Sequence, residues 1–140
     1  MNKEFIPYEQ SLALKELGFD EPCFGYYYTT NGKDWQFAEK SEYYRLDDEI
    51  NIGSKFSLLV PTFSQAFRWF REKYNLKGFV SPVEYLDGTD DTYHWCIYNE
   101  CNSGYDQLTH EEAELACLVK LIEITNKTKY FSSDVPTYYN

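Results

Sequence analysis

His94 and Cys96 are the residues whose types and spacing come nearest to nucleophilic chemistry. On a β-strand, positions i and i+2 share a face, so the imidazole and the thiol would be neighbours. Nucleophilic catalysis also needs the base at hydrogen-bond distance from the thiol, held there by a third group. No third group is identifiable, so the sequence supports no catalytic residue. Carboxylates cluster at Asp87, Asp90 and Asp91, and again at Asp47, Asp48 and Glu49. The run Asp-Gly-Thr-Asp-Asp departs from a calcium loop, which alternates its acidic ligands before the glycine. Cys23, Cys96, Cys101 and Cys117 lack the paired spacing of a zinc site, and His94 and His110 do not complete one. No metal site is expected. No glycine-rich phosphate loop, G-x-S-x-G or H-E-x-x-H is present, so no cofactor is implied.

The composition points to binding. Thirteen Lys and Arg stand against 23 Asp and Glu, a net charge of −10. A chain this acidic is repelled by phosphate backbones, so direct nucleic-acid binding is not expected. The charge serves solubility, or draws the chain to a basic partner. Fourteen Tyr and 10 Phe exceed what a core of this size requires. Tyr26-Tyr27-Tyr28, Tyr43-Tyr44 and Tyr138-Tyr139 are consecutive, and in an alternating strand neighbouring rings point to opposite faces. Some are therefore expected at the surface, where Tyr favours interfaces. The candidate binding patch is Tyr43, Tyr44, Asp47, Asp48 and Glu49, in a long polar stretch between strands where function tends to sit. The N-terminus carries no signal-peptide pattern and no apolar run spans a bilayer, so a cytoplasmic location without a membrane partner is expected.

Elements that would position these residues can be read from periodicity and caps. Pro7 opens a helix over Tyr8–Leu17, and Gly18 stands where a left-handed cap is wanted. Residues 23–29 read as a strand, Asn31-Gly32 as a two-residue hairpin turn, and residues 35–37 as its return. A short strand is placed around 43–46, and a better one at 56–60. Thr62 caps a helix with Phe63, Ala66, Phe67, Phe70 and Tyr74 on one stripe and Trp69 off it. Residues 79–85 and 92–100 form a second hairpin, followed by a turn at Asn102-Ser103-Gly104. Thr109 and Glu112 form a capping box for a helix reaching about Asn126. The expected fold is α+β: an antiparallel sheet of hairpins with about three helices, organised as a duplicated α-β-β unit plus a C-terminal helix. One domain over 1–128 and a polar, partly mobile tail over 129–140 are expected.

Residues 4–27, EFIPYEQSLALKELGFDEPCFGYY, with 61–76, PTFSQAFRWFREKYNL, and 109–124, THEEAELACLVKLIEI, resemble a family of small proteins of phages, prophages and mobile elements, notably of Bacteroidetes-type bacteria. The strand around His94-Trp95-Cys96-Ile97-Tyr98 shares the resemblance, and residues 30–55 do not. It implies a family without an assigned activity. Taken together, the expectation is a non-enzymatic protein-binding module that engages a host protein with a basic surface, such as a defence factor. A module that holds a nucleotide or small ligand between rings, and an enzyme with an unfamiliar site, remain open.

Overall fold

The computed structural model describes residues 3–44, 57–84, 92–98 and 102–134, with side chains for residues 3–39, 57–84, 92–98 and 102–128. Among these the order is α1 (Tyr8–Glu16), β1 (Cys23–Tyr28), β2 (Gln36–Tyr44), β3 (Ser57–Val60), α2 (Phe63–Tyr74), β4 (Gly78–Val83), β5 (Thr92–Ile97), β6 (Asn102–Gln107) and α3 (His110–Asp134). The fold is α+β, with two three-stranded antiparallel sheets ordered β2-β1-β3 and β4-β5-β6. Each of the first two helices is followed by three strands rather than two, and the strand orders differ, so the halves do not share one topology. The chain packs as two compact units, Met1–Ala66 and Phe67–Asn140.

In the first unit, Pro7 is the residue before α1 rather than its first turn, with φ −66° and ψ 166°. Gly18 adopts φ 101° and its N–H bonds Lys15 O at 3.0 Å, while Phe19 N bonds Leu14 O at 2.9 Å. That pair of bonds is a Schellman ending, and Leu14 and Phe19 are both buried beneath it. The β1–β2 connection spans residues 29–35, longer than the two-residue turn that Asn31-Gly32 suggests. Side-chain chemistry explains the length. Asn31 Oδ1 accepts the N–H groups of Lys33 and Asp34 at 2.8 and 2.9 Å, and Thr29 Oγ1 accepts that of Gly32 at 3.1 Å. Asx and Thr side chains thus replace the backbone bonds of a tight turn. Beyond it, β2 extends to Tyr44 and absorbs the start of the short strand expected at 43–46. Tyr26 and Tyr27 are both buried on β1, because this central strand is shielded on both faces. Tyr27 meets Tyr8 edge-on at 5.4 Å and Phe37 at 5.5 Å, while Tyr26 pairs with Tyr28 at 5.9 Å. The tyrosine run therefore does not signal exposure here.

Helix α2 begins where Thr62 Oγ1 accepts the N–H of Gln65 at 3.1 Å. It ends before Asn75, whose φ of 55° lets the chain turn out. Phe67 and Phe70 are buried, as the stripe predicts. Trp69 is the correction: only 5% exposed, it meets Phe70 and Tyr74 edge-on at 5.1 and 5.4 Å. Lys73, one turn on, places its ammonium 5.2 Å from the indole centroid, a cation–π contact that keeps the charge in water.

The second sheet is built against α3. Its β4–β5 register is regular, from Gly78 opposite Ile97 to Val83 opposite Thr92. Residues 102–104 form the start of β6, not a turn, since Asn102, Ser103 and Gly104 stand opposite Ile97, Cys96 and Trp95. Tertiary packing overrides local turn propensity: a Cβ at Gly104 would run into the Trp95 indole, so the glycine is there to admit that ring. The extra residue of β6 falls between the Gly104 and Gln107 pairings, where Asp106 takes φ 64°. At the start of α3, Thr109 Oγ1 accepts the N–H of Glu112 at 3.1 Å. The Glu112 carboxylate accepts the N–H of Leu108, one residue outside the usual capping box, also at 3.1 Å. The helix continues past Asn126 to Asp134. Glu123 ties Lys120 and Lys127 at 3.2 and 3.0 Å, and i,i+4 pairing of this kind carries a helix beyond its apolar stripe.

Gly104→Ala is expected to destabilise the protein by about 1–3 kcal/mol, because overpacking forces Trp95 or the backbone to shift. Urea unfolding at constant m-value checks this. A Gly104→Ala protein as stable as wild type would show that the ring moves freely.

Candidate functional site

Alternation along a regular ladder sorts the residues of the second sheet by face. The α3 side is fixed by Gly78, where a Cβ would lie 2.9 Å from Cys117 Sγ and 3.1 Å from Leu121, both on α3. Val80, Trp95 and Ile97 share that side, as does Tyr93, whose ring meets His110 of α3 edge-on at 5.7 Å. The other side carries Phe79 and Ser81 on β4, and Thr92, His94 and Cys96 on β5. Tyr98 donates its N–H to Lys77 O at 2.9 Å, which extends the alternation by one pair and puts Tyr98 on this outer side. Tyr105 joins them from β6, its ring stacked on His94 with centroids 5.3 Å apart and planes within 15°.

The outer side is where rings meet solvent. Tyr98 is 71% exposed, Tyr105 63% and Phe79 43%. Singly scattered exposed apolar residues are normal, whereas here three aromatic side chains stand exposed on one face of one small sheet. The charge is distributed unevenly too. Residues 77–114, which run from the entry to β4 into the first turns of α3, contain nine Asp and Glu and a single basic residue, Lys77. Most of the chain's excess negative charge is therefore carried by this one segment.

The residues singled out by sequence fall as follows. Tyr43 and Tyr44 end β2, with Tyr44 opposite Cys23. Asp47, Asp48 and Glu49 lie outside the described residues, as do Asp87, Asp90 and Asp91 and their Asp-Gly turn. His94 and Cys96 do share a face, but His94 is engaged by Tyr105, and its Nδ1 is buried with no hydrogen-bond partner among the described residues. Nothing described orients it as a base. Thr92 Oγ1, two positions away on the same face, is likewise buried without a partner. Among the described residues no three His, Cys, Asp or Glu side chains gather as a metal site. No helix among them is long and apolar enough to cross a membrane. The outer face was missed at the sequence level because residues 102–104 read as a turn. The signal that could have found it was the alternation of Phe79 with the opposing His94, Cys96 and Tyr98.

Cys23, Cys96 and Cys117 are free thiols. Burial, with the Glu21 carboxylate second, pushes Cys23 up to about 12. Burial, with Cys96 second, pushes Cys117 up to about 12 as well. Both stay protonated at neutral pH, which removes them as nucleophiles. At the first turn of α3, His110 Nδ1 lies 3.2 Å from the Glu114 carboxylate. Burial raises the Glu114 pKa and His110 opposes that rise. His110 is exposed and Glu114 half-buried, and the pair ties one turn at the start of the helix to the next.

Comparison with protein-family models, curated proteins and solved structures finds no match to this chain.

The thiols give a test with a definite sign. A pKa raised on folding contributes stability below the unfolded value, near 8.5–9, and loses it as pH rises toward the folded value. Wild-type stability should therefore fall more steeply between about pH 9 and 12 than that of Cys23→Ala, as read by urea unfolding at several pH values. Equal slopes would mean that Cys23 ionises freely in the folded chain.

Proposed function

We propose that this chain is a non-enzymatic binding module that engages a basic surface of another protein. The observation that supports it best is the outer side of the second sheet, where Phe79, Tyr98 and Tyr105 stand exposed in the most acidic segment of the chain. Tyr supplies large contact area at small entropic cost, and a field of carboxylates speeds encounter with a cationic partner. Cys23 and Cys117 held protonated, and a His94 without an orienting group among the described residues, give the enzyme reading less support. The resemblance of residues 4–27, 61–76 and 109–124 to proteins of phages and mobile elements makes a host protein the natural partner, and inhibition of a defence factor the natural role. Nucleic acid is not expected as the direct partner of so acidic a chain.

Affinity purification from a host lysate, run with wild type, with Phe79→Ser/Tyr98→Ser and with Asp47→Lys/Asp48→Lys, tests the reading and separates the two candidate patches. Loss of one basic partner with the first variant, and weakening of its capture as salt rises, is expected. Loss only with the second variant would move the site to residues 43–49. An unchanged partner set with both would set this reading aside.

One observation favours a second reading. The near-parallel His94–Tyr105 pair has the spacing of a ring platform, so a nucleotide is the small ligand to test. Under this reading, adenine or guanine nucleotides raise the melting temperature of wild type but not of Tyr105→Ala. No shift with either nucleotide removes it.

A further inference from the structure

We propose that Asn31 is a latent deamidation site, held shut in the folded chain by the side chains of Thr29 and Asp34, and modified once the β1–β2 connection opens. This chemistry belongs to the first unit and does not depend on which surface binds a partner.

Asn31-Gly32 is the one Asn-Gly pair in the chain. In such a pair deamidation meets least hindrance, because glycine has no Cβ to keep its amide nitrogen from the neighbouring carboxamide. The Gly32 nitrogen attacks Cγ of Asn31, a new N–C bond closes a succinimide ring, and the Cγ–Nδ2 bond breaks. The proton of Gly32 N passes to solvent base, and the amine leaves as ammonia. Water then opens the ring at either carbonyl, giving aspartate or isoaspartate. Burial prevents none of this, since residues 30–34 are exposed to the water that the reaction consumes.

Hydrogen bonds provide the protection instead. The attacking group, Gly32 N–H, is donated to Thr29 Oγ1 at 3.1 Å. Thr29 is buried, so its hydroxyl is fixed by packing, and it donates its own proton to Asn31 Oδ1 at 3.0 Å. The same oxygen accepts the N–H groups of Lys33 and Asp34 at 2.8 and 2.9 Å, and Asn31 Nδ2 donates to Asp34 Oδ2 at 2.9 Å. The attacking nitrogen and both ends of the carboxamide are thus committed to other partners. Ring closure needs Gly32 N deprotonated and the carboxamide turned against it. It must therefore break these bonds first, and the reaction proceeds from an opened connection. The product would keep the connection open. Exchange of Nδ2 for a carboxylate oxygen sets a negative charge against the Asp34 carboxylate where a donor stood.

The test incubates the full chain in mildly alkaline buffer, folded and in guanidinium chloride. Peptide mapping by mass spectrometry follows loss of the Asn31 amide and the appearance of isoaspartate there. Folded wild type is expected to deamidate at Asn31 at least about ten-fold more slowly than the unfolded chain, the suppression that an unfavourable opening step imposes. Thr29→Val keeps the shape of the side chain and removes the hydroxyl, so it should speed the reaction in the folded chain, while Thr29→Ser should stay as slow as wild type. Asp34 is exposed, so Asp34→Ala removes the acceptor of Asn31 Nδ2 without disturbing the core and should also speed it. Melting temperatures are measured alongside, and every folded sample is held well below its own. Acceleration in either Thr29→Val or Asp34→Ala supports the latch. Equal rates in folded and unfolded wild type, or no acceleration in either variant, overturns it. A faster reaction in the folded chain overturns it as well, since the donors at Asn31 Oδ1 would then be stabilising the oxyanion of ring closure.

Discussion

The close seating of α3 on the second sheet is the constraint from which the rest of that unit follows. At Gly78 the strand meets the helix with only a hydrogen, and even a methyl would press on Cys117 and Leu121. That approach buries Cys117, Leu118, Leu121 and Ile97. Burial in turn holds the Cys117 thiol protonated. It also decides the character of every other residue on the ladder, because period-two alternation leaves each strand no freedom once one side is claimed. A one-residue slip of β5 would carry Ile97 outward and His94 inward. The polar and aromatic character of the outer side is thus a consequence of which side the helix occupies.

A second consequence concerns Trp95. It points to the helix side, where it needs more room than a three-stranded sheet under a helix readily offers. Gly104 supplies that room by removing a side chain directly opposite. The irregularity that follows, with Asp106 in a left-handed conformation, lies just beyond. Bulges of this kind re-aim the side chains next to them and blunt a sheet edge against pairing with another chain. Tyr105 sits between the two features. Its stack on His94 therefore lies at the point where one ring's demand for space on the inner side disturbs the strand that carries the other ring on the outer side.

Much of this could be read from the sequence, and the failures have physical causes. Both long caps were legible, since Thr62 and Thr109 with Glu112 are local chemistry that needs no tertiary information. So were Gly18 and the Phe67–Phe70 face. Trp69 was not, because a helix packed over much of its circumference buries residues off the periodic stripe, and only tertiary neighbours say how wide the stripe is. Residues 102–104 failed for a related reason. Asn, Ser and Gly are turn formers in isolation, and nothing local states that a tryptophan nine positions back requires the glycine. The Asn31-Gly32 signal marked the place of a turn but not its size, which Thr29 and Asn31 side chains set. Of the candidate site, Tyr43 and Tyr44 are placed on β2, while the acidic residues after them lie outside the described chain.

The two sheets use aromatic residues toward opposite ends. In the first, Tyr27 meets Tyr8 and Phe37 edge to face, and Tyr26 is buried on the other side of the same strand. Rings there add area and geometry to a core that β3, with only four residues, could not supply alone. In the second sheet the rings that serve stability are confined to the helix side, with Trp95 the largest. On the outer side Tyr105 rests on a stack with His94, not on a core. A residue that stabilises by burial cannot also be offered to a partner. A chain with more tyrosine than its core can hold has somewhere to put the surplus only if one sheet face is left uncovered. The high Tyr content and the one-sided packing of α3 are then two views of the same division between the sheet face that is buried and the sheet face that carries exposed rings.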